Sequence, residues 1–250
     1  MLSDRAKQQI ALAVNGTMAS IAKVMPDMST VKAGYPFHTV FFSPSAVQAA
    51  RVERSVVTHL GMTFIPTIAE LIAGDKVTGV HRNHRIEGEI DAGSAAAIEA
   101  VCGQLRDGRR KPNHQEEMDA ILAAKNGRKQ TVHVIADLYV EEFTGGPLFC
   151  EIKSPMPNLD VCHASKRKIF MFSLLMADRN PQAYLALWYN PYVTRAQYRH
   201  NFTRQVMDMD KEVLLGSEMW DKLGGTGTFD ALIKLVDKTA GDYRKKHGSA

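Results

Sequence analysis

The sequence predicts a mixed α/β fold, an α+β arrangement in which a mixed β-sheet is flanked by helices. Three observations carry that expectation. Val132, Val134, Ala136, Leu138 and Val140 alternate with His133, Ile135, Asp137, Tyr139 and Glu141, the period of a strand. A second apolar stretch from about Leu148 to Ser154 follows Thr144, Gly145 and Gly146, residues that suit a turn. Helical periodicity lies on both sides of this hairpin, and a buried strand from Ala183 to Tyr189 comes later.

The elements follow in chain order. Ser3 or Asp4 can cap a helix to about Met25, with Ile10, Val14, Met18 and Ile21 on one face and Pro26 as the stop. Val31 to Ser43 reads as loop. Ser45 begins a helix to about Leu60, and Thr63 to Ala73 forms another. Gly74 to Gly93 is polar and interrupted by glycine, so no element is expected there. Ser94 caps a helix to about Arg106, and a further helix spans Gln115 to Lys125. After the hairpin, Asp160 caps a helix to about Ala177 that offers Val161, Ala164, Ile169, Phe172 and Leu175 for burial. Helices near Lys211–Leu215 and Phe229–Asp242 complete the chain, and Tyr243 to Ala250 is expected to fray.

The length of 250 residues fits one domain, 1–250, with a helical N-terminal part over about 1–125 and the core in about 126–215. A hydrophobic share of 45% supports a sizeable core. The net charge of +4 does not by itself demand nucleic acid. Between His163 and Lys211, however, eight basic residues stand against three acids, directly after the hairpin. Cys102, Cys150 and Cys162 are odd in number and lack paired metal-ligand spacing, which argues against a disulfide framework or structural zinc. The start has no long apolar segment and no unbroken run of about 18 apolar residues occurs, so a soluble, cytoplasmic protein without a membrane partner is expected.

The hairpin carries the chemistry. Side chains two apart on a strand share a face. With the turn centred near Gly145, Lys153 lies across from Asp137 and Glu151 lies diagonal to it. A slip of one residue would scatter this set. Ala136, Leu138, Cys150 and Ile152 fall on the opposite face, toward a core. Asp137 and Glu151 offer hard oxygen donors suited to Mg²⁺, and the Ile152 carbonyl can add a third. Lys153 can orient water or stabilise developing negative charge on a phosphodiester. Neighbouring carboxylates favour its charged form, so it is not read as a free-amine base. The alternative is a surface hairpin with a cross-strand Asp–Lys pair.

Other candidates are weaker. His81 and His84 have a metal spacing only if helical, and the nearby glycines oppose a helix. Gly224-Gly-Thr-Gly227 lacks the context of a phosphate loop and reads as a helix-capping loop. Tyr184, Trp188, Tyr189 and Tyr192 could stack on bases, although alternation of core and surface aromatics is the commoner case. Glu70 is not separable from an ordinary exposed acid. No Gly-x-Ser-x-Gly elbow is present.

At Asp137, Glu151 and Lys153 the chain resembles the PD-(D/E)XK nuclease superfamily, with Ala136 in place of the usual proline. More narrowly it resembles type II restriction endonucleases of the TdeIII/MjaII kind. The matching segments are Glu151-Ile-Lys-Ser-Pro-Met-Pro-Asn158, Ala164-Ser-Lys-Arg167, Asn190-Pro-Tyr192, Met207-Asp-Met-Asp-Lys-Glu-Val213 and Phe229 within Gly224–Asp230. The likeness runs from about Met62 onward and is weakest over residues 1–50. It implies a restriction-endonuclease-like α-β-β-α-β core and cleavage of double-stranded DNA at a short palindromic site. Mg²⁺, a homodimer and a cognate methyltransferase as system partner are implied with it. Some members of that group are associated with GGNCC-type sites.

The expectation is therefore a Mg²⁺-dependent type II restriction endonuclease. Asp137 and Glu151 hold metal with the Ile152 carbonyl, Lys153 assists the attacking water, and Lys166 and Arg167 contact phosphates. Symmetric cleavage of both strands asks for a two-fold protein. The alternatives are a repair or structure-selective nuclease with the same site, and a DNA-binding module without catalysis.

Overall fold

A computed structural model describes residues 2–21 and 31–247. The chain forms two compact units: Ile72–Phe229, and Leu2–Leu71 together with the chain from Asp230 onward.

The second unit is helical. Helix α1, Asp4–Ile21, is capped by the Ser3 hydroxyl, which accepts from the Ala6 N–H, and buries Ala6, Ile10 and Val14. The expected stop at Met25–Pro26 lies outside the described residues. Two short helices, α2 (Val31–Gly34) and α3 (His38–Phe41), occupy the stretch expected to be loop. Helix α4, Pro44–His59, starts one residue before the expected position, because Ser43 is the cap and Pro44 fills the first turn. No break follows it. A π-helical segment, Leu60–Phe64, joins it to α5, Ile65–Gly74, so an extra residue per turn replaces the expected interruption. The resulting helix, Pro44–Gly74, is long and apolar enough to cross a membrane by length and composition alone, although it holds no unbroken run of about 18 apolar residues. Helix α12, Thr228–His247, extends five residues past the expected end and finishes on Arg244, Lys245, Lys246 and His247, charges that suit a helix C-terminus.

The first unit holds a five-stranded sheet in the order β1-β2-β3-β4-β5. The strands are Val80–Asp91, Lys129–Val140, Leu148–Lys153, Gln182–Leu187 and Val213–Leu215. The β1–β2 and β2–β3 pairs are antiparallel, whereas β3–β4 and β4–β5 are parallel. Helix α8, Leu159–Leu175, is the crossover between β3 and β4. The mixed sheet flanked by helices is the fold expected from the sequence.

Strand β1 lies where no element was expected. Its residues are polar because it is an edge strand, and only Ile86, Ile90 and Asp91 are buried. Backbone pairing along β2 supplies the order that hydrophobic alternation does not announce. Asp91 ends the strand and caps α6, Ala92–Arg106, accepting from Gly93 and Ser94 N–H. It also accepts from Asn126 and Gly127 N–H. Desolvation works to raise the Asp91 pKa, but these backbone donors outweigh it and hold the carboxyl low. Ser94, the expected cap, is instead buried and donates to the Ile121 carbonyl at 2.9 Å. Helix α7 spans His114–Ala123, capped by Asn113.

Cluster packing sets the position of α8. Ile98, Val101 and Leu105 of α6, Ile121 of α7 and Phe170 and Phe172 of α8 pack with Val134, Tyr139 and Phe149 of the sheet. A second cluster joins Cys162 and Ile169 of α8 to Leu185, Leu187, Val213 and Leu215. Helix α9, Asn201–Val206, contributes Val206 to it. The region expected as helix Lys211–Leu215 divides into α10, Met209–Glu212, and strand β5. Short apolar runs do not distinguish the two by periodicity. Helix α11, Ser217–Gly224, was not expected and precedes the glycine-rich loop, whose Gly225 is its C-cap.

Candidate active site at the fork of the hairpin

The turn between β2 and β3 uses Gly145 at φ +91 and Gly146 at φ +126. A Cβ on Gly146 would lie 2.0 Å from the Asn180 carbonyl oxygen, so glycine is required there by both backbone and space. The register pairs Leu138 with Cys150, Tyr139 with Phe149 and Val140 with Leu148. Continuing it sets Asp137 opposite Glu151, with Lys153 diagonal. The expected register was two residues out, because the connection is centred on Thr144 and not on Gly145. A two-residue shift preserves side-chain parity, so Asp137, Glu151 and Lys153 still share a face. Ala136, Leu138, Cys150 and Ile152 are buried, as expected for the other positions.

Backbone pairing of β2 with β3 ends at Leu138–Cys150, and below that point the strands fork. Asp137 occupies the fork. Its Oδ2 accepts from the Ile152 N–H at 2.8 Å and from Lys153 Nζ at 2.6 Å. Lys153 Nζ also lies 2.9 Å from Glu151 Oε1. A carboxylate thus replaces the missing ladder partner and gathers the lysine in the same contact. Burial alone would lower the Lys153 pKa, but the charges of Glu151 and then Asp137, with their hydrogen bonds, raise it above its ordinary value. The side chain is an ammonium at neutral pH.

A residue that the sequence reading did not single out completes the cluster. Lys168 Nζ donates to both Glu151 oxygens, at 2.9 and 2.8 Å. The Glu151 side chain is only 4% exposed. The signal was present: Lys168 stands one turn before Phe172, which packs on Tyr139 and Phe149, and residues four apart share a helix face.

Lys166 requires a correction. It was expected to contact phosphate, yet its side chain is fully buried between Glu117 of α7 at 2.5 Å and Glu212 of α10 at 2.6 Å. Glu212 also meets His114 Nδ1 at 2.8 Å. Two residues along a helix turn the side chain by about 200°, so Lys166 and Lys168 leave α8 on opposite sides. Arg167 between them is exposed and paired with Glu99.

His81 and His84 lie on β1 and not on a helix, and both stack on Tyr139, with ring centroids 6.2 and 5.1 Å away. Between them Asn83 has φ +49, where the ladder passes from Arg82–Leu138 to His84–Ala136, and the two imidazoles stack with ring centroids 4.8 Å apart. Cys102, Cys150 and Cys162 are buried free thiols, and burial pushes them up to about 12, 12 and 11.

The donor set fits a hard divalent cation. The Asp137 and Glu151 oxygens already converge on a shared positive charge, the Lys153 ammonium. Among the described residues no group of three or more His, Cys, Asp and Glu gathers to hold a metal. A cation here would rest on two carboxylates, with backbone and water oxygens making up its shell, as suits Mg²⁺.

Comparison with known proteins gives the class, type II restriction endonucleases. The family model described as "Type II restriction endonuclease, HinfI" matches residues 4–240, and the chain belongs to that family. The expected enzyme class is borne out: this is a site-specific deoxyribonuclease. The chain is 31% identical to type II restriction enzyme HgiBI of Herpetosiphon aurantiacus over 206 residues, 80% of this chain and 75% of that protein. It is 32% identical to HgiEI and 30% to HgiCII of the same organism over the same shares. No solved structure matches.

Proposed function

We propose that the enzyme hydrolyses double-stranded DNA at a short palindromic site in a Mg²⁺-dependent reaction, as a soluble cytoplasmic homodimer. The observation that carries this reading is the convergence of Asp137, Glu151 and Lys153 at the hairpin fork. Asp137 and Glu151 would hold the ion, with the Ile152 carbonyl as a further oxygen. When bound, the cation supplies charge neutralisation at the phosphate and a more acidic water. Lys153, held as an ammonium, donates to the phosphate oxygens as negative charge grows there. Water adds its oxygen to phosphorus, the bond from phosphorus to the leaving oxygen breaks, and that oxygen ends protonated.

A two-fold axis in the DNA asks for one in the protein, which is the reason to propose a dimer. A methyltransferase acting on the same sequence is the proposed system partner. The resemblance makes GGNCC the first sequence to test.

Digestion of a plasmid of known sequence tests the reading. Discrete fragments with Mg²⁺ and none with EDTA are expected, and mapping their ends gives the site. Smears or branch-dependent cuts would point to a repair nuclease, and binding without cutting to a module that lacks catalysis. Arg167 is the proposed phosphate contact. Arg167→Ala is expected to weaken binding evenly across sequences and lower the salt slope by about 0.9, read by titration at several salt concentrations.

A further inference from the structure

Lys168 has a bond pattern that the proposed reaction does not use. Its Nζ takes both oxygens of Glu151, whereas Lys153 takes one oxygen of Glu151 and one of Asp137. Two carboxylates and two ammoniums make the cluster neutral before any metal arrives. A divalent cation added without displacing either lysine would leave two positive charges in a pocket where Glu151 is almost out of water. One ammonium must therefore leave, or negative charge must enter with the ion. Lys153 is held by two acids. Lys168 is held by one, and since the two lysine side chains are equally open to water, at 29% for Lys168 and 30% for Lys153, it is the number of acids that separates them. Lys168 is the one that can leave.

We propose that Lys168 is a positioning residue that grips Glu151 in the metal-free enzyme and competes with the divalent cation for it. Metal loading is thereby coupled to the arrival of a DNA phosphate. This rests on the reading that Asp137 and Glu151 hold the metal. Released from Glu151, Lys168 is a mobile cation beside a site that receives a phosphodiester. The phosphate both offsets the metal charge and offers Lys168 a new acceptor. Because coupling free energy is reciprocal, DNA tightens metal binding as much as metal tightens DNA binding.

The test is Mn²⁺ binding to the protein, with and without uncleaved DNA, followed by electron paramagnetic resonance of the free ion. Wild type is compared with Lys168→Met, Lys168→Arg and Glu151→Ala, each checked for folding by circular dichroism. Without DNA, Lys168→Met is expected to bind Mn²⁺ roughly tenfold tighter, the scale of one partly exposed charge-assisted contact removed. The gain in Mn²⁺ affinity produced by DNA should shrink in the same variant. Lys168→Arg, which keeps a two-pronged cation on Glu151, should restore wild-type affinity. If Lys168→Met does not fold, Lys168→Gln carries the same expectation.

If Lys168→Met binds Mn²⁺ equally or more weakly while Glu151→Ala loses binding, the metal site stands and the competition is refuted. If Glu151→Ala binds Mn²⁺ like wild type, both the metal assignment and the competition are refuted. A merely structural ion pair would weaken metal binding when cut, since Glu151 would lose its orientation, so the sign of the change decides.

Discussion

Asp137→Ala is expected to lower the cleavage rate at saturating Mg²⁺ by roughly a thousandfold or more, the scale of losing an electrostatic element of a catalytic centre. The size follows from the geometry. One carboxylate oxygen receives both the Ile152 N–H and the Lys153 ammonium, so its loss removes a proposed metal donor and frees Lys153 together. Asp137→Asn separates the two roles. Its amide oxygen still accepts from the Ile152 N–H, so the fold is kept, while the negative charge is gone. Single-turnover cleavage should fall about as far in both variants, and thermal stability should fall more in Asp137→Ala. Lys153→Ala belongs to the same experiment: specific binding without metal is expected to persist and cleavage to vanish. Full cutting by Lys153→Ala would remove that residue from the mechanism.

The second large effect is on stability. Lys166→Ala is expected to cost about 3–5 kcal/mol, the range for removing one partner of a buried ion pair. Lys166 holds Glu117 and Glu212, and all three side chains are fully buried. Burial works to raise the Glu117 pKa, and Lys166 opposes it by charge and hydrogen bond, yet the net shift stays upward. Even with its partner, then, this carboxyl sits uneasily in its charged form. Glu212 also accepts from the Asp208 N–H, so the network ties α7, α8 and α10 together. Without Lys166 two carboxylates face each other in a dry pocket. Denaturant unfolding of the purified variant reads the loss. A surface phosphate contact would give the reverse pattern, with unchanged stability and a smaller salt slope for DNA binding.

The contrast between Lys166 and Lys168 shows what a single sequence holds. The hairpin was legible because strand alternation is local: each residue of Thr131–Glu141 and Leu148–Ser154 reports its own face. A register two residues out still placed Asp137, Glu151 and Lys153 together, since parity alone mattered. Helix α8 and strand β4 were legible for the same reason, with boundaries displaced by a residue or two. Strand β1 was not, because an edge strand with charged residues carries no alternation and is ordered by its neighbour.

Lys166, Arg167 and Lys168 are three adjacent cations that composition cannot tell apart. The sequence by itself determined that a hairpin with two acids and a lysine on one face is followed by a basic helix. Only the tertiary structure decided that the first cation enters a buried acid pocket, the second faces Glu99 and the third grips Glu151. The partners of Lys166 lie 49 and 46 residues away in the chain. Local periodicity reaches a turn or two along a helix, whereas the electrostatics of a buried charge depend on whatever the fold brings against it.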